Sequence, residues 1–564
     1  MRRVLLLMGI LFFATLSSTA QYSRYVVKFT DKKNTPHSLS NPSSYLSAKA
    51  IARRAKQNIS IDSTDLPITP AYLDSIRSVP NVTVLNVSKW FNQVLVKTTD
   101  PAALVKINSF PFVKTAAPIA LNVDNIDKGQ PITNEKYGVV GNELIGMNGL
   151  NGTHSLSYGN SYNQIHLHEG EYLHDLGFTG KGITIAILDG GFFGYKTNVA
   201  MDSVRSQNRI LGVWDYVANE ESVNEDHPHG LYCFSIIAGN KPGSLMGSAP
   251  HASFYLFRTE DVNSEYPVEE QNWVAAAEYA DSVGVDMISS SLGYYDFDDA
   301  SFNHSYAQRN GNTALVTLGA DLAAKKGIIV TNSAGNSGNA TNDTKYIACP
   351  ADGDSVVAVG AVTQAGIRAK FSSWGPNGAG ARKPNIVSVG QATVLANTAG
   401  NASSGNGTSF SNPLACGLIA CLWQAYPEFT NMEIINAVQK SSSTYTSPND
   451  SLGYGIPNFR KAYEYLAAER LKKNQDAILG SNWIKIYPVP FKQSLSALLK
   501  APNTGKATLR LFNSSGQLIE LKQLDVQAGS TYTLSFGAAA KLSAGVYIVE
   551  YRDGTSTQRI TIQK

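Results

Sequence analysis

The chain has 564 residues, of which 43% are hydrophobic, and a formal net charge of only +3. This length exceeds what a single hydrophobic core usually covers, so we expect about three or four structural units. The small net charge gives no basis for binding nucleic acid or an anionic surface, and we expect neither kind of partner.

Residues 1–20 have the layout of an export signal. Arg2 and Arg3 precede an apolar run over residues 4–16, and small side chains at 18–20 offer a cleavage site. The apolar run is shorter than the ~20 residues of a membrane-spanning helix, and no later stretch reaches that length without interruption. We therefore expect a secreted protein with no transmembrane segment in its mature form.

Residues 22–120 predict a small α+β unit. Alternating runs such as YVVKF and NQVLVKT indicate strands, and LSAKAIARRAKQ and AYLDSIRSV indicate helices. Residues 121–164 are rich in Asn and Gly and show no clear periodicity, which is typical of a linker. This linker is where we expect proteolytic processing.

The pattern changes at residue 165, and residues 165–467 predict an α/β domain. Near-continuous apolar strands, such as ITIAIL and GIIVTNS, alternate with helical stretches. Strands of this kind are covered on both faces, so we expect a parallel sheet in a three-layer arrangement. Residues 468–482 predict a helical linker, and the regular short strands of 483–564 predict a β-sandwich.

Three short blocks of the α/β region carry an acid, a base and a nucleophile. Asp189 ends an apolar strand, His229 begins an apolar helix, and Ser409 precedes the most apolar helix of the chain. A serine hydroxyl becomes a good nucleophile when a histidine, held by a carboxylate, takes its proton. Taken singly, Asp189 reads equally well as a turn cap and Ser409 as a helix N-cap.

A fourth block, SAGN, places Asn336 after a predicted strand. An asparagine amide beside a glycine is suited to donating a hydrogen bond to an oxyanion, although a turn asparagine is the simpler alternative. The order Asp, His, Asn, Ser along one chain favours acyl transfer over four separate structural roles.

The α/β region resembles the subtilisin-like serine proteases, the subtilases. The blocks GSAPHA (247–252), SSLG (290–293) and FSSWGP (371–376) follow the pattern of that family. The resemblance implies that Asp189 orients His229, that His229 is the general base and that Ser409 attacks the substrate. It further implies that Asn336 contributes to the oxyanion hole and that the substrate lies against two short segments, Ser291, Leu292 and Gly293 in one and Ser333, Ala334 and Gly335 in the other.

Some positions depart from the family pattern. Gly190 replaces a Ser or Thr, Leu231 replaces a Thr, and the sequence FSN follows Thr408-Ser409 where MAS is usual. The segment after the His229 helix, GNKPGSLMG, has few oxygen side chains where the family often holds calcium. We therefore expect no metal and no cofactor. The four cysteines are expected to be small buried apolar side chains, although export would permit a disulfide between a pair that the sequence does not identify.

Both flanking regions carry resemblances of their own. Residues 24–120 resemble the inhibitory propeptide of subtilases, and 483–564 resemble the type IX secretion sorting domain of Bacteroidetes. These resemblances imply a zymogen whose partners are its own propeptide, the type IX secretion machinery and protein or peptide substrates. They also imply passage through the outer membrane to a secreted or cell-surface location.

The leading hypothesis is therefore a secreted, monomeric serine endopeptidase made as a preproenzyme. One alternative is a sedolisin, the acidic relative that lacks the His and Asn found here at positions 229 and 336. The other is a catalytically inactive subtilase-fold protein that binds or scaffolds, because a fold alone does not establish an activity. The sequence indicates neither the side-chain specificity nor the natural substrate, and it does not give the maturation sites to the residue.

Overall fold

The computed structural model describes residues 22–121, 134–141, 153–224 and 227–564. The predicted export signal lies outside the described residues, as do most of the residues of the predicted linker. The chain divides into two compact units, with the border between Tyr463 and Glu464.

A four-stranded antiparallel sheet with three helices begins the first unit. The α+β class of this region was predicted, but only two of its three helices were. The strand order is β2-β3-β1-β4. Alternation along the first strand places Tyr25, Val27 and Phe29 on the face that the helices cover. The elements are β1 (Tyr22–Phe29), α1 (Ala48–Lys56), α2 (Pro70–Arg77), β2 (Thr83–Ser88), β3 (Gln93–Lys97), α3 (Pro101–Asn108) and β4 (Val113–Leu121).

A seven-stranded parallel sheet forms the centre of the first unit, in the order β14-β13-β12-β11-β6-β10-β7. The predicted α/β class is therefore confirmed, including the two strands ITIAIL and GIIVTNS. The strands of this sheet are β6 (Thr184–Asp189), β7 (Ile210–Asp215), β10 (Ser253–Arg258), β11 (Met287–Ser290), β12 (Ile329–Ser333), β13 (Val357–Val362) and β14 (Ile386–Val389).

Both faces of this sheet are covered, as its apolar strands require. Alternate residues such as Ala186 and Leu188 pack with Trp273 and Val274 in one core cluster, and every residue of β6 is buried. The helices are α5 (Tyr162–His166), α6 (Gly170–Asp175), α7 (Asp202–Ser206), α8 (His229–Ala238), α9 (Val268–Val283), α10 (Leu315–Lys325), α11 (Thr408–Ala425), α12 (Asn431–Lys440) and α13 (Phe459–Leu479), which runs across the border between the units.

Two short elements lie inside the stretch predicted as linker: the helical turn α4 (Asn134–Tyr137) and the strand β5 (Val139–Gly141). Strand β5 pairs with a hairpin of β15 (Thr393–Ala396) and β16 (Ala402–Asn406). A further two-stranded ladder joins β8 (Asn240–Lys241) to β9 (Leu245–Met246). This part of the linker therefore has a defined place on the catalytic region.

The second unit contains two antiparallel sheets around one core, as the predicted β-sandwich requires. The sheets have the orders β17-β18-β21 and β20-β19-β22-β23, and side chains from both form one apolar cluster. The strands are β17 (Ile484–Tyr487), β18 (Ser496–Lys500), β19 (Gly505–Asn513), β20 (Leu518–Val526), β21 (Thr531–Ser535), β22 (Val546–Arg552) and β23 (Thr557–Gln563). None of the helices among the described residues is both long and apolar enough to span a membrane.

Candidate active site

The three predicted triad residues lie where elements of the parallel sheet region begin or end. Asp189 is the last residue of β6, His229 is the first residue of α8, and Ser409 is the second residue of α11. All three side chains are buried. The carboxyl ends of the strands are the usual location of sites in open α/β sheets.

The imidazole of His229 is hydrogen-bonded to the carboxylate of Asp189. His229 Nδ1 lies 2.7 Å from Asp189 Oδ1, which also accepts the backbone N–H of Gly190 at 2.7 Å. A proton on Nδ1 that faces a carboxylate leaves Nε2 as the nitrogen able to accept another proton. Nε2 of His229 is buried and has no hydrogen-bond partner among the described residues.

Ser409 is adjacent to His229, but its hydroxyl makes a different hydrogen bond. Ser409 Oγ donates to the carbonyl oxygen of Ser291 over 3.4 Å. Cys233 joins the two residues, since its Sγ lies 3.9 Å from His229 Nδ1 and 3.2 Å from the carbonyl oxygen of Ser409. Among the described contacts, the Ser409 hydroxyl therefore donates to the Ser291 carbonyl and not to the imidazole.

Asn336 is held by the residue that precedes the serine. Its Oδ1 accepts two hydrogen bonds from Thr408, from the backbone N–H at 2.8 Å and from Oγ1 at 2.9 Å. With the oxygen fixed in this way, the Nδ2 of Asn336 faces Gly407, 3.7 Å from where a Cβ on that glycine would lie. Sequence reasoning missed Thr408 as the residue that orients this amide, although it directly precedes Ser409.

The two predicted substrate-binding segments leave neighbouring strands side by side. Residues 291–293 follow β11, and residues 333–335 begin at the last position of β12. Asn332 Nδ2 donates to the carbonyl oxygen of Leu292 at 2.9 Å and ties the segments together. Gly335 has φ +109, and a Cβ there would lie 2.8 Å from Ser373 Oγ, so only glycine fits.

Residues 134–141, here called the cleft segment, lie directly against these groups. The ring of Tyr137 is 5.0 Å from the His229 ring. At Gly138 (φ +70) a Cβ would lie 2.6 Å from the carbonyl oxygen of Asn406, and the following residues pair with β16, which ends at Asn406. The cleft segment therefore covers the His229 ring and also lies against the residues that directly precede α11.

Three buried glutamates beside the cleft segment, Glu260, Glu265 and Glu269, form what we call the acidic pocket. The ammonium of Lys136 lies 2.6 Å from a Glu260 oxygen, 2.5 Å from a Glu265 oxygen and 3.5 Å from a Glu269 oxygen. Burial raises the pKa of Glu265 to about 7 and that of Glu269 well above its usual value. Burial opposes the charge on Lys136, but the three glutamates outweigh it and raise the pKa of the ammonium.

The N-terminal sheet and its three helices (residues 22–121), here called the N-terminal unit, contact α9 through buried ion pairs. We call this contact the docked face. Asp281 of α9 accepts hydrogen bonds from Arg53 at 2.5 Å and from Arg54 at 2.7 Å. Arg54 also pairs with Asp65 at 2.7 Å, and Asp65 pairs with Lys326 at 2.9 Å. Cations and carboxylates therefore alternate through this interface, and each buried charge has an opposite neighbour.

The carboxylate of Glu278 holds the turn that connects β2 to β3. It accepts the backbone N–H groups of Lys89 at 2.7 Å and Trp90 at 3.1 Å, and the hydroxyl of Ser88 at 2.5 Å. Burial raises the pKa of Glu278 to about 7, although Lys89 and these hydrogen bonds oppose the shift. The N-terminal unit thus covers a carboxyl group that would meet water without it.

Within the part of the chain that the structure describes, two groups of ligand-type side chains are close enough to hold a metal ion. One is Asp189, His229 and Cys233, and the other is the acidic pocket, whose three ligand atoms lie within 4.8 Å of one another. Asp189 and His229 are bonded to each other, and the acidic pocket holds the Lys136 ammonium. Cys233, Cys349, Cys416 and Cys421 are all buried and unpaired, as expected of small apolar side chains.

Sequence profiles of known families match all three regions of the chain. Residues 180–455 match the subtilase family (peptidase S8). Residues 24–136 match the peptidase S8 propeptide domain of Bacteroidota, and residues 485–563 match a secretion system C-terminal sorting domain.

Known proteins are similar over the first of these regions. Subtilisin E of Bacillus subtilis (strain 168) is 28% identical over 293 residues, which are 51% of this chain and 68% of the relative. The subtilisin of Bacillus pumilus is 28% identical and is covered to 94%. A solved structure, MycP1 from Mycobacterium smegmatis, has a TM-score of 0.41 at 19% identity over 53% of this chain and 84% of that chain.

The catalytic region is therefore a subtilase domain, and the chain is a serine endopeptidase. The chain combines this subtilase domain with a Bacteroidota-type S8 propeptide domain and the predicted type IX sorting domain, which indicates a secreted or cell-surface protease. The similarity to subtilisins does not support the alternative of an inactive binding or scaffold protein.

Proposed function

We propose that Asp189, His229 and Ser409 are the catalytic triad of this protease and that it cleaves peptide bonds through an acyl-enzyme. The observation that carries the proposal is the 2.7 Å hydrogen bond from the His229 imidazole to Asp189. It fixes the imidazole with Nε2 ready to accept a proton, next to the helix whose second residue is Ser409.

In the first half-reaction, the hydroxyl of Ser409 turns from the Ser291 carbonyl and attacks the carbonyl carbon of the scissile bond. His229 Nε2 takes the hydroxyl proton, and Asp189 stabilises the resulting imidazolium. Collapse of the tetrahedral intermediate breaks the C–N bond, and His229 gives its proton to the departing amine. Water then hydrolyses the Ser409 ester by the same sequence of proton transfers.

The developing oxyanion is stabilised by the Nδ2 of Asn336 together with the backbone N–H of Ser409. Thr408 fixes the amide oxygen of Asn336, so the donor is oriented before the substrate arrives. Preorganised donors of this kind account for a factor of ~10²–10³ in turnover. The segments 291–293 and 333–335 bind the substrate backbone as neighbouring strands.

The N-terminal unit acts as this protease's own inhibitor and folding assistant, and the cut that frees the enzyme falls in residues 121–164. The support for this proposal is the buried docking of Arg53 and Arg54 on Asp281 and the position of Tyr137 over His229. The mature enzyme acts as a monomer after the secretion machinery has used the C-terminal domain.

The decisive variant is Ser409→Ala, which removes the nucleophile without disturbing the buried start of α11. We expect peptide hydrolysis to fall by a factor on the order of 10⁶. Ser411→Ala is the matched control, because Ser411 lies on the same helix turn and its hydroxyl bonds only to the Thr408 carbonyl in the described contacts. Hydrolysis that survives in Ser409→Ala would remove Ser409 from the mechanism.

A further inference from the structure

The acidic pocket is built next to the strand that ends at the candidate active site. Glu260 comes two residues after Arg258, which pairs in register with Asp189 across β10 and β6. Glu269 lies in the first turn of α9, and the loop between them supplies Glu265. The pocket and the triad are therefore built on adjacent strand ends of one sheet.

The protein holds the three carboxylates rigidly. The hydroxyl of Tyr294 donates to Glu260, the backbone N–H of Asp261 donates to Glu269 at 3.1 Å, and the backbone N–H of Glu265 donates to Asp298 at 3.0 Å. Glu260 and Glu269 are completely buried, and Glu265 is 9% exposed. Rigid, buried carboxylates form a preformed receptor for a cation, because little reorganisation is needed on binding.

Lys136 of the cleft segment is the cation that fills the pocket. Besides the three carboxylates, its ammonium lies 5.1 Å from the centre of the Tyr294 ring, a cation–π contact. Among the described residues, no other lysine or arginine is paired with any of the three glutamates. Without such a partner the buried glutamates would have to take up protons, since desolvation of an uncompensated charge is unfavourable.

The unpartnered hydroxyl of Tyr137 is a second observation indicating that the cleft segment can leave its place. Tyr137, next to Lys136, is 7% exposed, and its hydroxyl has no hydrogen-bond partner among the described residues. Burial and the same three glutamates raise its pKa well above the usual value. A residue that evolved only to fill a permanent core would normally satisfy this hydroxyl.

The neighbouring residues Lys136 and Tyr137 thus contact two different parts of the protease domain. Lys136 places its ammonium among the glutamates, and Tyr137 places its ring against His229. We infer that, in the mature enzyme, the acidic pocket binds a lysine or arginine side chain of the substrate, within a few residues on the amino-terminal side of the scissile bond. This inference rests on the proposed function, and it makes the protease selective for basic protein or peptide substrates.

The chemistry favours a long side chain with a terminal cation. Lysine and arginine carry their charge at the end of an apolar stem, which can pass the ring of Tyr294 while the head meets the carboxylates. A shorter or neutral side chain would leave the carboxylates without a counter-charge. Lys136 would then imitate a substrate side chain, and it would leave the acidic pocket when the cleft segment is removed.

The test uses mature enzyme prepared from the full chain, its active sites counted by a serine-directed fluorophosphonate. Matched peptides carry Lys, Arg, norleucine or Glu at each of the four positions before the cleaved bond. We expect kcat/KM for Lys or Arg at one position to exceed that for norleucine by about 10- to 100-fold, the range for a charged hydrogen bond. Equal rates for Lys and norleucine at all four positions would overturn the inference.

Variants of the acidic pocket test the same inference. Because rates are expressed per labelled active site, a lower yield of folded enzyme does not affect the comparison. Glu265→Gln and Glu269→Gln should each reduce the ratio of kcat/KM for Lys peptides to kcat/KM for norleucine peptides, measured per labelled site. Glu221→Gln, at an exposed glutamate of the same domain, should leave the preference intact. Glu265→Lys should reverse the preference toward Glu peptides, and a variant that kept the Lys preference would contradict the pocket's role.

Two further outcomes separate this inference from the proposed function. If the enzyme is labelled and cleaves neutral peptides, but needs added Ca²⁺ in place of a basic side chain, the pocket is a metal site and the inference is wrong. If no label is incorporated and no peptide of any charge is cleaved, the proposed function itself fails. Only the first outcome leaves the triad in place.

Discussion

Two parts of the N-terminal region contact the protease domain, and they differ in their charge balance. At the docked face, Asp281 has two arginine partners, and Asp65 has Arg54 and Lys326. In the acidic pocket, three glutamates share the single ammonium of Lys136. The difference suggests that the docked face is built to remain assembled and that the pocket is built to exchange its cation.

The largest expected effect on this comparison comes from removing a buried ion pair of the docked face. Asp281→Ala leaves Arg53 and Arg54 buried without their shared carboxylate, and removing one partner of a buried pair costs about 3–5 kcal/mol. We expect the cleaved N-terminal unit to bind the protease domain at least about 100-fold more weakly. Inhibition of the processed enzyme by that unit, measured against concentration, gives the affinity.

Lys49→Ala is the matched control at the same face. Lys49 is partly exposed and pairs with Asp286 at 2.7 Å, and exposed pairs contribute only about 0.2–1 kcal/mol. The affinity should therefore change by a few-fold at most. Equal losses in Asp281→Ala and Lys49→Ala would show that buried charge pairing does not hold the unit in place.

A smaller effect is expected in the acidic pocket. In a Ser409→Ala chain, which stays uncleaved, Lys136→Met removes the cation that holds the cleft segment. The segment should open more often, so that added chymotrypsin cuts after Tyr137 about 10- to 100-fold faster, because local opening governs such cleavage. Lys97→Met, at an exposed lysine of β3, should leave the rate unchanged. A slow rate in Lys136→Met would mean that the ion pairs do not hold the segment.

The smallest effect is a pH dependence at the docked face. Burial raises the pKa of Glu278 to about 7 in the docked state, while an unburied glutamate titrates near pH 4.3. A raised pKa in the docked state means that this contribution is complete below about pH 4.3 and is lost as the pH rises through 7. The cleaved unit should dissociate about tenfold more readily at pH 8 than at pH 5, as followed by gel filtration.

Glu278→Gln should remove most of this dependence, since the amide does not titrate. Two of the other interface carboxyls, Asp62 and Asp65, have lowered pKa values and titrate below this window. The lowering at both positions combines an opposing burial effect with stronger hydrogen bonds and nearby cations. An undiminished pH dependence in Glu278→Gln would assign it to another group.

Much of the fold was predictable because the signals are local. The apolar run ending at Asp189 and the apolar helices beginning at His229 and Ser409 can be read within ten residues of each site residue. Parallel-sheet topology then implies that strand ends meet, which brings these residues to one edge. The C-terminal sandwich was predictable in the same way.

The contacts of the cleft segment could not be predicted. Lys136 lies in an Asn- and Gly-rich stretch without periodicity, and its partner Glu260 is 124 residues away. A lone lysine and three scattered glutamates carry no spacing that indicates a shared pocket. The hydrogen bonds from Thr408 to Asn336 were missed for a similar reason. Nothing in the sequence around Thr408 indicates that its partner lies 72 residues away.

The most direct test of the account is to react the mature protein with a fluorophosphonate and to map the modified residue by mass spectrometry. We expect one label per molecule, on Ser409, and none in a His229→Ala variant whose fold is intact by circular dichroism. A label on any other serine, or full labelling of Ser409 without the His229 imidazole, would contradict the proposed triad.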